Sequence, residues 1–226
     1  MTERLYSIAI DGPAGAGKST IARKAAQQLN FVYVDTGAIY RTLAYGIYAS
    51  GFDLAAEGLE QMLSKFDVRP FWTEDGVQHM VLNGEDVTSM IRQPHISDLT
   101  SKLSAIPTVR DFLLETQRKI AREHSVIMDG RDIATVVLPN ADVKIFLFAS
   151  AEVRAKRRYL ELQQKGIDQP YEAVLREMED RDYRDSHRAV APLKPAEDSV
   201  LLDTSELNLE QSIEAVVQTI RKKIGI

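Results

Sequence analysis

The chain has 226 residues, and its 44% hydrophobic content is enough for one domain with a sizeable core and a small insertion. A net charge of −5 argues against a general nucleic-acid-binding protein, and the lack of cysteine excludes disulfides, thiol catalysis and thiolate metal sites. A strand starting at residue 5 leaves no room for a signal peptide, and no apolar stretch approaches membrane-spanning length. We therefore expect a cytoplasmic monomer that binds neither nucleic acid nor a membrane.

Residues 12–19, GPAGAGKS, match the pattern G-x-x-x-x-G-K-[ST] and directly follow the apolar run of residues 5–10. A glycine-rich loop between a strand and a helix can fold its backbone N–H groups around phosphate oxygens. An exposed Lys18 would reach the β- and γ-phosphates, and the Ser19 hydroxyl can hold Mg²⁺. A Rossmann dinucleotide site fits poorly because residues 18–20 stand where that motif needs its last glycine. The pattern predicts that a nucleoside triphosphate binds to this phosphate loop, which comprises Gly12, Pro13, Ala14, Gly15, Ala16, Gly17, Lys18, Ser19 and Thr20.

Short apolar runs alternate with helical patterns along the chain. The predicted buried strands are residues 5–10, 31–34, 126–128, 143–148 and 200–202. The predicted helices are residues 18–29, 38–50, 108–123 and 151–165, and a last helix capped by Asn208 with Gln211 three residues on. This alternation predicts an α/β fold, with a parallel sheet, right-handed connections and helices on both faces.

Residues 68–87 interrupt this alternation. Two runs typical of strands flank a turn at residues 74–76, and a third run follows Asn83-Gly84, a dipeptide that strongly favours a hairpin. We predict a small antiparallel β insertion over about residues 63–90 that lies outside the parallel sheet.

Residues 152–188 contain nine basic and nine acidic side chains, so the segment carries no net charge. Such a pattern is usually a solvated helix face with many ion pairs. Arginine, however, holds phosphate bidentately, and Arg181, Asp185 and Arg188 share one helix face. We predict that residues 152–190 form a lid that closes over phosphates.

Asp129 follows the predicted strand of residues 126–128 and begins the cluster Asp-Gly-Arg-Asp. A carboxylate at the end of a buried strand beside a phosphate loop is well placed to hold Mg²⁺, directly or through water. The alternative interpretation is an ordinary turn aspartate.

The stretches that carry a family resemblance are residues 10–20, 35–41 (DTGAIYR), 129–132, 143–148, 181–188 and 191–193. Through them the sequence resembles the bacterial-type cytidylate kinases of the nucleoside monophosphate kinase superfamily. The resemblance implies one P-loop kinase domain over residues 1–226, with a five-stranded parallel sheet, an acceptor-nucleotide region at about residues 36–107 and a helical lid. It also implies that the γ-phosphoryl group of ATP is transferred to CMP or dCMP, with Mg²⁺, by direct in-line attack.

The same resemblance implies a role for each matching residue. The catalytic residues would be Lys18, Asp129, Arg131 and Arg158. The phosphate of the acceptor would be bound by Thr36, Arg41 and Arg131. Its base would be bound by Ser101, Arg110, Asp132 and Arg188, and its sugar by Arg181 and Asp185. The lid arginines Arg154 and Arg157 would act with the phosphate loop on ATP, and Ser19 and Asp129 would hold the metal.

Three other functions stay open. The acceptor could be UMP, AMP, shikimate or a polyol rather than CMP. A GTPase-like switch is weakened because the guanine-reading pattern Asn-Lys-x-Asp is absent. A nucleotide-binding subunit without catalysis would not explain the full set of arginines.

Overall fold

The described part of the protein, residues 4–54 and 56–226 of a computed structural model, contains a five-stranded parallel sheet. Numbered along the chain, its strands are β1 (Ser7–Asp11), β2 (Val32–Asp35), β6 (Val126–Gly130), β7 (Val143–Phe148) and β8 (Val200–Asp203). Their order is β2-β6-β1-β7-β8, so the strand before the phosphate loop is central. All five predicted strands are confirmed, although β1 begins at Ser7 rather than residue 5.

Helices cover both faces of the sheet, as predicted. One face packs against α1 (Lys18–Leu29) and α8 (Leu209–Ile224), and the other against α2 (Thr36–Ser50), α4 (Pro94–Leu103) and α5 (Pro107–Glu123). The helix α8 begins with the expected capping box between Asn208 and Gln211. Neither α4 nor the five-residue α3 (Leu59–Leu63) is among the predicted helices. No helix in the described part of the chain is both long and apolar enough to cross a membrane.

The predicted β insertion is confirmed as a separate antiparallel sheet of β3 (Val68–Trp72), β4 (Gln78–Leu82) and β5 (Glu85–Asp86). Asn83 and Gly84 both have positive φ, at 50° and 90°, as a tight hairpin turn requires. The insertion contacts β2, the edge strand of the main sheet, through side chains. The Trp72 indole N–H donates to the Tyr33 carbonyl at 2.8 Å. The Gln78 amide accepts from Asp35 N at 2.7 Å and donates to Asp35 O at 3.3 Å.

The charged segment forms two helices, α6 (Ala151–Gln164) and α7 (Tyr171–His187). The Ser150 side chain caps α6, accepting from Val153 N at 3.3 Å. Between the two helices lies a small apolar cluster of their own, separate from the two large cores. The helices therefore pack together as a pair, which we call the lid pair.

Candidate active site

The phosphate loop has the backbone that its glycines predict. Gly12 has a φ of 150°, and a Cβ there would lie 1.9 Å from the Leu147 carbonyl oxygen, so no other residue fits. Gly17 precedes α1 in the left-handed region, and among the described residues no side chain caps that helix. The first turn of α1 also contains no acidic residue. Its free N–H groups and positive dipole end therefore suit an anion.

Lys18 does not extend into solvent. Its side chain is only 5% exposed, and its ammonium donates to the Pro13 carbonyl at 2.7 Å. The expectation of an exposed lysine is wrong because the loop curls around the side chain. Burial, together with the nearby charge of Arg131, lowers the pKa of Lys18 well below its usual range. A cation in this environment gains strongly from a neighbouring anion.

Asp129 lies in β6, beside the first turn of α1. Its Oδ2 accepts from the Ser19 hydroxyl at 2.8 Å, and its Oδ1 accepts from the Tyr33 hydroxyl at 2.8 Å. Burial raises the pKa of Asp129 to about 6, with a further contribution from the charge of Asp35. A carboxylate and a hydroxyl side by side offer the oxygen ligands that Mg²⁺ prefers, and Mg²⁺ takes few protein ligands beside phosphates and water. These residues fit the metal.

A cleft of about 370 Å³ opens beside the phosphate loop. Among the described residues that line it, six are cationic and four acidic, a net charge of +2 in a chain of net charge −5. The cleft therefore favours an anionic ligand. Its walls contain all of the acceptor-site residues that the resemblance implies, namely Thr36, Arg41, Ser101, Arg110, Arg131, Asp132, Arg181, Asp185 and Arg188.

Three of these residues form one group close to the phosphate loop. The Thr36 hydroxyl donates to the Asp129 carbonyl at 2.7 Å. It also lies close to Gly130, where the Cβ of any other residue would be only 2.9 Å from the hydroxyl oxygen. Arg41 pairs with Asp35 at 2.8 Å, while its buried Nε has no hydrogen-bond partner among the described residues. Arg131 Nε donates to Asp185 at 2.9 Å. These hydroxyl and guanidinium groups can bind a phosphate.

The acidic residue Asp132 is 6% exposed and lies between two guanidinium groups. Arg110 forms a close ion pair with it, and Arg188 Nη2 lies 3.5 Å from its Oδ1 without a hydrogen bond to any described residue. Burial raises the pKa of Asp132, and the two arginines act in the opposite direction. The arrangement offers both acceptors and donors to a flat polar ligand.

The lid arginines do not line this cleft. Arg154 is buried and donates to the carbonyls of Ala149 at 2.8 Å and Ala14 at 3.0 Å, and it pairs with Asp182 at 2.6 Å. Arg157 donates to the Thr204 carbonyl at 2.7 Å.

Arg158, the third of these arginines, pairs with Glu161 at 2.9 Å on a half-exposed face of α6. The structure therefore does not bring Arg158 together with Lys18, Asp129 and Arg131. It lines a neighbouring cavity, which reaches Ala14 and Gly15 of the phosphate loop. Three residues of the phosphate loop do not line the cleft, namely Gly12, Pro13 and Ala16.

Sequence reasoning missed several residues that support the site. Asp11 accepts from Ile133 N at 2.9 Å and Ala134 N at 2.7 Å, and its position at the end of a buried strand was a usable signal. Tyr33 and Gln78 gave no such signal. The contact of Tyr33 with Asp129 depends on how β2 pairs with β6, and the contacts of Gln78 depend on how the insertion packs against β2.

A parallel sheet of this order, with a phosphate loop after its central strand, gives the protein the fold of a phosphate-loop nucleotide-binding protein. The profile of the cytidylate kinase family matches residues 8–222, and the chain belongs to that family.

Relatives of full length support this assignment. The chain is similar to the cytidylate kinase of Carboxydothermus hydrogenoformans, with 48% identity over 96% of this chain and 97% of the relative. It is also similar to that of Klebsiella pneumoniae, with 46% identity over 100% of both. A solved structure of an uncharacterised protein from Eubacterium ventriosum covers 97% of this chain and 99% of its own, with a TM-score of 0.51. At 14% identity this likeness concerns the fold alone.

Proposed function

We propose that the protein transfers the γ-phosphoryl group of ATP to CMP or dCMP, giving CDP or dCDP and ADP. Full-length similarity to cytidylate kinases supports this activity. The main structural observation is the buried Asp132 between Arg110 and Arg188, in the same cleft as Lys18. We also infer that the enzyme is a cytoplasmic monomer.

The acceptor nucleotide lies in the cleft. Thr36, Arg41 and Arg131 bind its phosphate, because they present a hydroxyl and two guanidinium groups close to the phosphate loop. Its sugar contacts Arg181 and Asp185 on α7. The remaining residues, Ser101, Arg110, Asp132 and Arg188, surround its base.

Cytosine is the base that this set of groups favours. It offers an amino donor at position 4 and acceptors at N3 and O2, whereas uracil has an acceptor at position 4 and a donor at N3. Arg110 and Arg188 donate to the acceptors, and the carboxylate of Asp132 accepts from the amino group. With uracil, buried polar groups would lack partners, which costs a site most of its affinity.

ATP binds along the phosphate loop, with its phosphates at the N-terminus of α1 and beside Lys18. Ser19 and Asp129 hold Mg²⁺, which when bound supplies charge neutralisation to the phosphates. The attacking phosphate oxygen of CMP is already an anion, so the reaction needs no strong general base and passes through no phosphoenzyme. Lys18, Arg131 and the lid stabilise the transferred group and exclude water.

Activity with a panel of acceptors tests this proposal. ADP production is measured with Mg²⁺-ATP and each of CMP, dCMP, UMP, AMP and shikimate. We expect a preference for CMP and dCMP over UMP, since sites built on such hydrogen bonds discriminate by up to about 10⁴–10⁵-fold. Equal use of CMP and UMP would contradict the assignment of the base site.

Substitution of the base-binding carboxylate distinguishes a change in base preference from a general loss of activity. In Asp132→Asn, the amide can donate to uracil O4, so the ratio of kcat/KM for CMP to that for UMP should fall. The matched control is Asp111→Asn, on the exposed face of the same helix as Arg110. The control should keep the wild-type ratio.

A further inference from the structure

The buried hydroxyl of Tyr33 contacts the metal-binding carboxylate. Tyr33 is 9% exposed, and its hydroxyl donates to Asp129 Oδ1 at 2.8 Å, while the other oxygen, Oδ2, accepts from Ser19 at 2.8 Å. We propose that Tyr33 is a positioning residue that turns Asp129 Oδ2 toward Ser19 and the metal-bound triphosphate. The proposal rests on the function proposed above and assigns to it a residue outside the phosphate loop and the acceptor cleft.

Tyr33 is suited to act only as a donor. A tyrosine hydroxyl ordinarily ionises only at about pH 10, so it carries its proton at neutral pH. A protonated hydroxyl beside a carboxylate must donate to it. Oδ1 is therefore always occupied, and Oδ2 is left for the side of Ser19.

The position of the tyrosine is itself fixed from both sides. Its strand β2 pairs with β6, where Tyr33 is in register with Ile127, two residues before Asp129. On the outer side of β2, the Trp72 indole N–H donates to the Tyr33 carbonyl at 2.8 Å. The ring belongs to the core beneath α1. These contacts fix the position of the Tyr33 hydroxyl, and the hydroxyl in turn sets the orientation of the Asp129 carboxylate.

Removal of this hydroxyl should weaken the metal-dependent part of nucleotide binding. In Tyr33→Phe the ring still fills its place, but Asp129 Oδ1 loses its partner and the carboxylate can rotate. Loss of such a partner behind a metal ligand typically costs about 10–100-fold in metal affinity. We expect Mg²⁺ to tighten the binding of the triphosphate about tenfold less in Tyr33→Phe than in the wild type.

Calorimetry with the full chain measures this effect without turnover. The dissociation constant of a non-hydrolysable ATP analogue is determined in EDTA and again in saturating Mg²⁺, and the ratio of the two values is compared between proteins. Tyr45→Phe is the matched control, since the Tyr45 hydroxyl has no hydrogen-bond partner among the described residues and its ring packs partly buried on α2. Its ratio should equal that of the wild type.

Each outcome decides the proposal. A reduced ratio with unchanged affinity in EDTA supports it, whereas an unchanged ratio, or equal losses with and without Mg²⁺, overturns it. If Tyr33→Phe fails to fold, Trp72→Phe tests the same chain of contacts, and an unchanged ratio there overturns the proposal too. No CMP is present in the measurement, so a wild type that proves inactive on CMP would refute the proposed acceptor and leave this result independent.

Discussion

Asp11 and Asp129 lie on neighbouring strands, and burial raises the pKa of each to about 6, yet they have different tasks. Asp129 faces the phosphate loop. Asp11 accepts the backbone N–H groups of Ile133 and Ala134, the two residues that follow Asp132. It thus connects the start of the phosphate loop to the segment containing the acceptor-site residues Arg131 and Asp132.

From the raised pKa of Asp11 we predict how the free energy of unfolding depends on pH. Its folded pKa of about 6 exceeds the unfolded value of 3.8, so the folded state binds more protons between these values and stability falls as the pH rises through 6. In Asp11→Asn this dependence is absent. Urea unfolding at pH 5 and pH 7 should show the wild type losing about 1 kcal/mol more than Asp11→Asn over that interval. Equal losses in the two proteins would contradict the raised pKa.

At this scale the sequence predicts residue types better than their environments. The pattern around Lys18 indicates a phosphate-binding lysine, but its burial arises from the path of the loop between Pro13 and α1. Arg158 belongs to an arginine-rich helix as expected, and the direction of its side chain depends on Glu161 one turn away. Neither feature is encoded in a local pattern.

Among the elements, the β insertion has a direct structural connection to the acceptor site. Gln78 on β4 binds both backbone polar groups of Asp35. The Asp35 carboxylate in turn caps α2, accepting from Ala38 N at 2.8 Å, and pairs with Arg41. The insertion thereby fixes the residue that orients Arg41.

Gln78→Ala should therefore weaken binding of the acceptor and spare the donor. Loss of these hydrogen bonds is worth about 1 kcal/mol, so we expect KM for CMP to rise about fivefold while KM for ATP stays constant. His79→Ala is the control, since His79 is the next residue of β4 and pairs with Asp86 instead. Steady-state kinetics with each substrate varied in turn would show whether both KM values change together, which would indicate general damage.

Elements with strong patterns were predictable and weaker ones were not. The strands β1, β6 and β7 are buried on both faces, so each appears in the sequence as a nearly continuous apolar run. In contrast, α4 has ten residues and its apolar stripe has only three members, the buried Ile96 and Leu103 and the partly buried Leu99, so its pattern is too short to stand out in the sequence.

For the whole molecule, the lid pair is the part expected to move. It has its own small apolar cluster, and it contacts the acceptor site through the pair between Arg131 and Asp185. We expect amide hydrogen exchange across residues 152–190 to be fast without ligand and slower when both nucleotide sites are filled by a bisubstrate analogue, because closure assembles the arginines and excludes water. The helix α8, whose inner face packs on the sheet, is the internal control. Unchanged exchange in the lid pair would indicate a static charged face.

The way the insertion meets β2 has a consequence for how copies of the chain behave toward one another. A strand at the edge of a parallel sheet exposes unpaired N–H and C=O groups, which are a template for intermolecular strand addition. Here the side chains of Trp72 and Gln78 bind groups on that edge, and no other strand of the described residues pairs with it. Deleting the insertion would therefore expose the edge of β2, next to the active site, to pairing with a strand of another molecule. We therefore expect the small sheet to limit aggregation of the protein as well as to support the acceptor site.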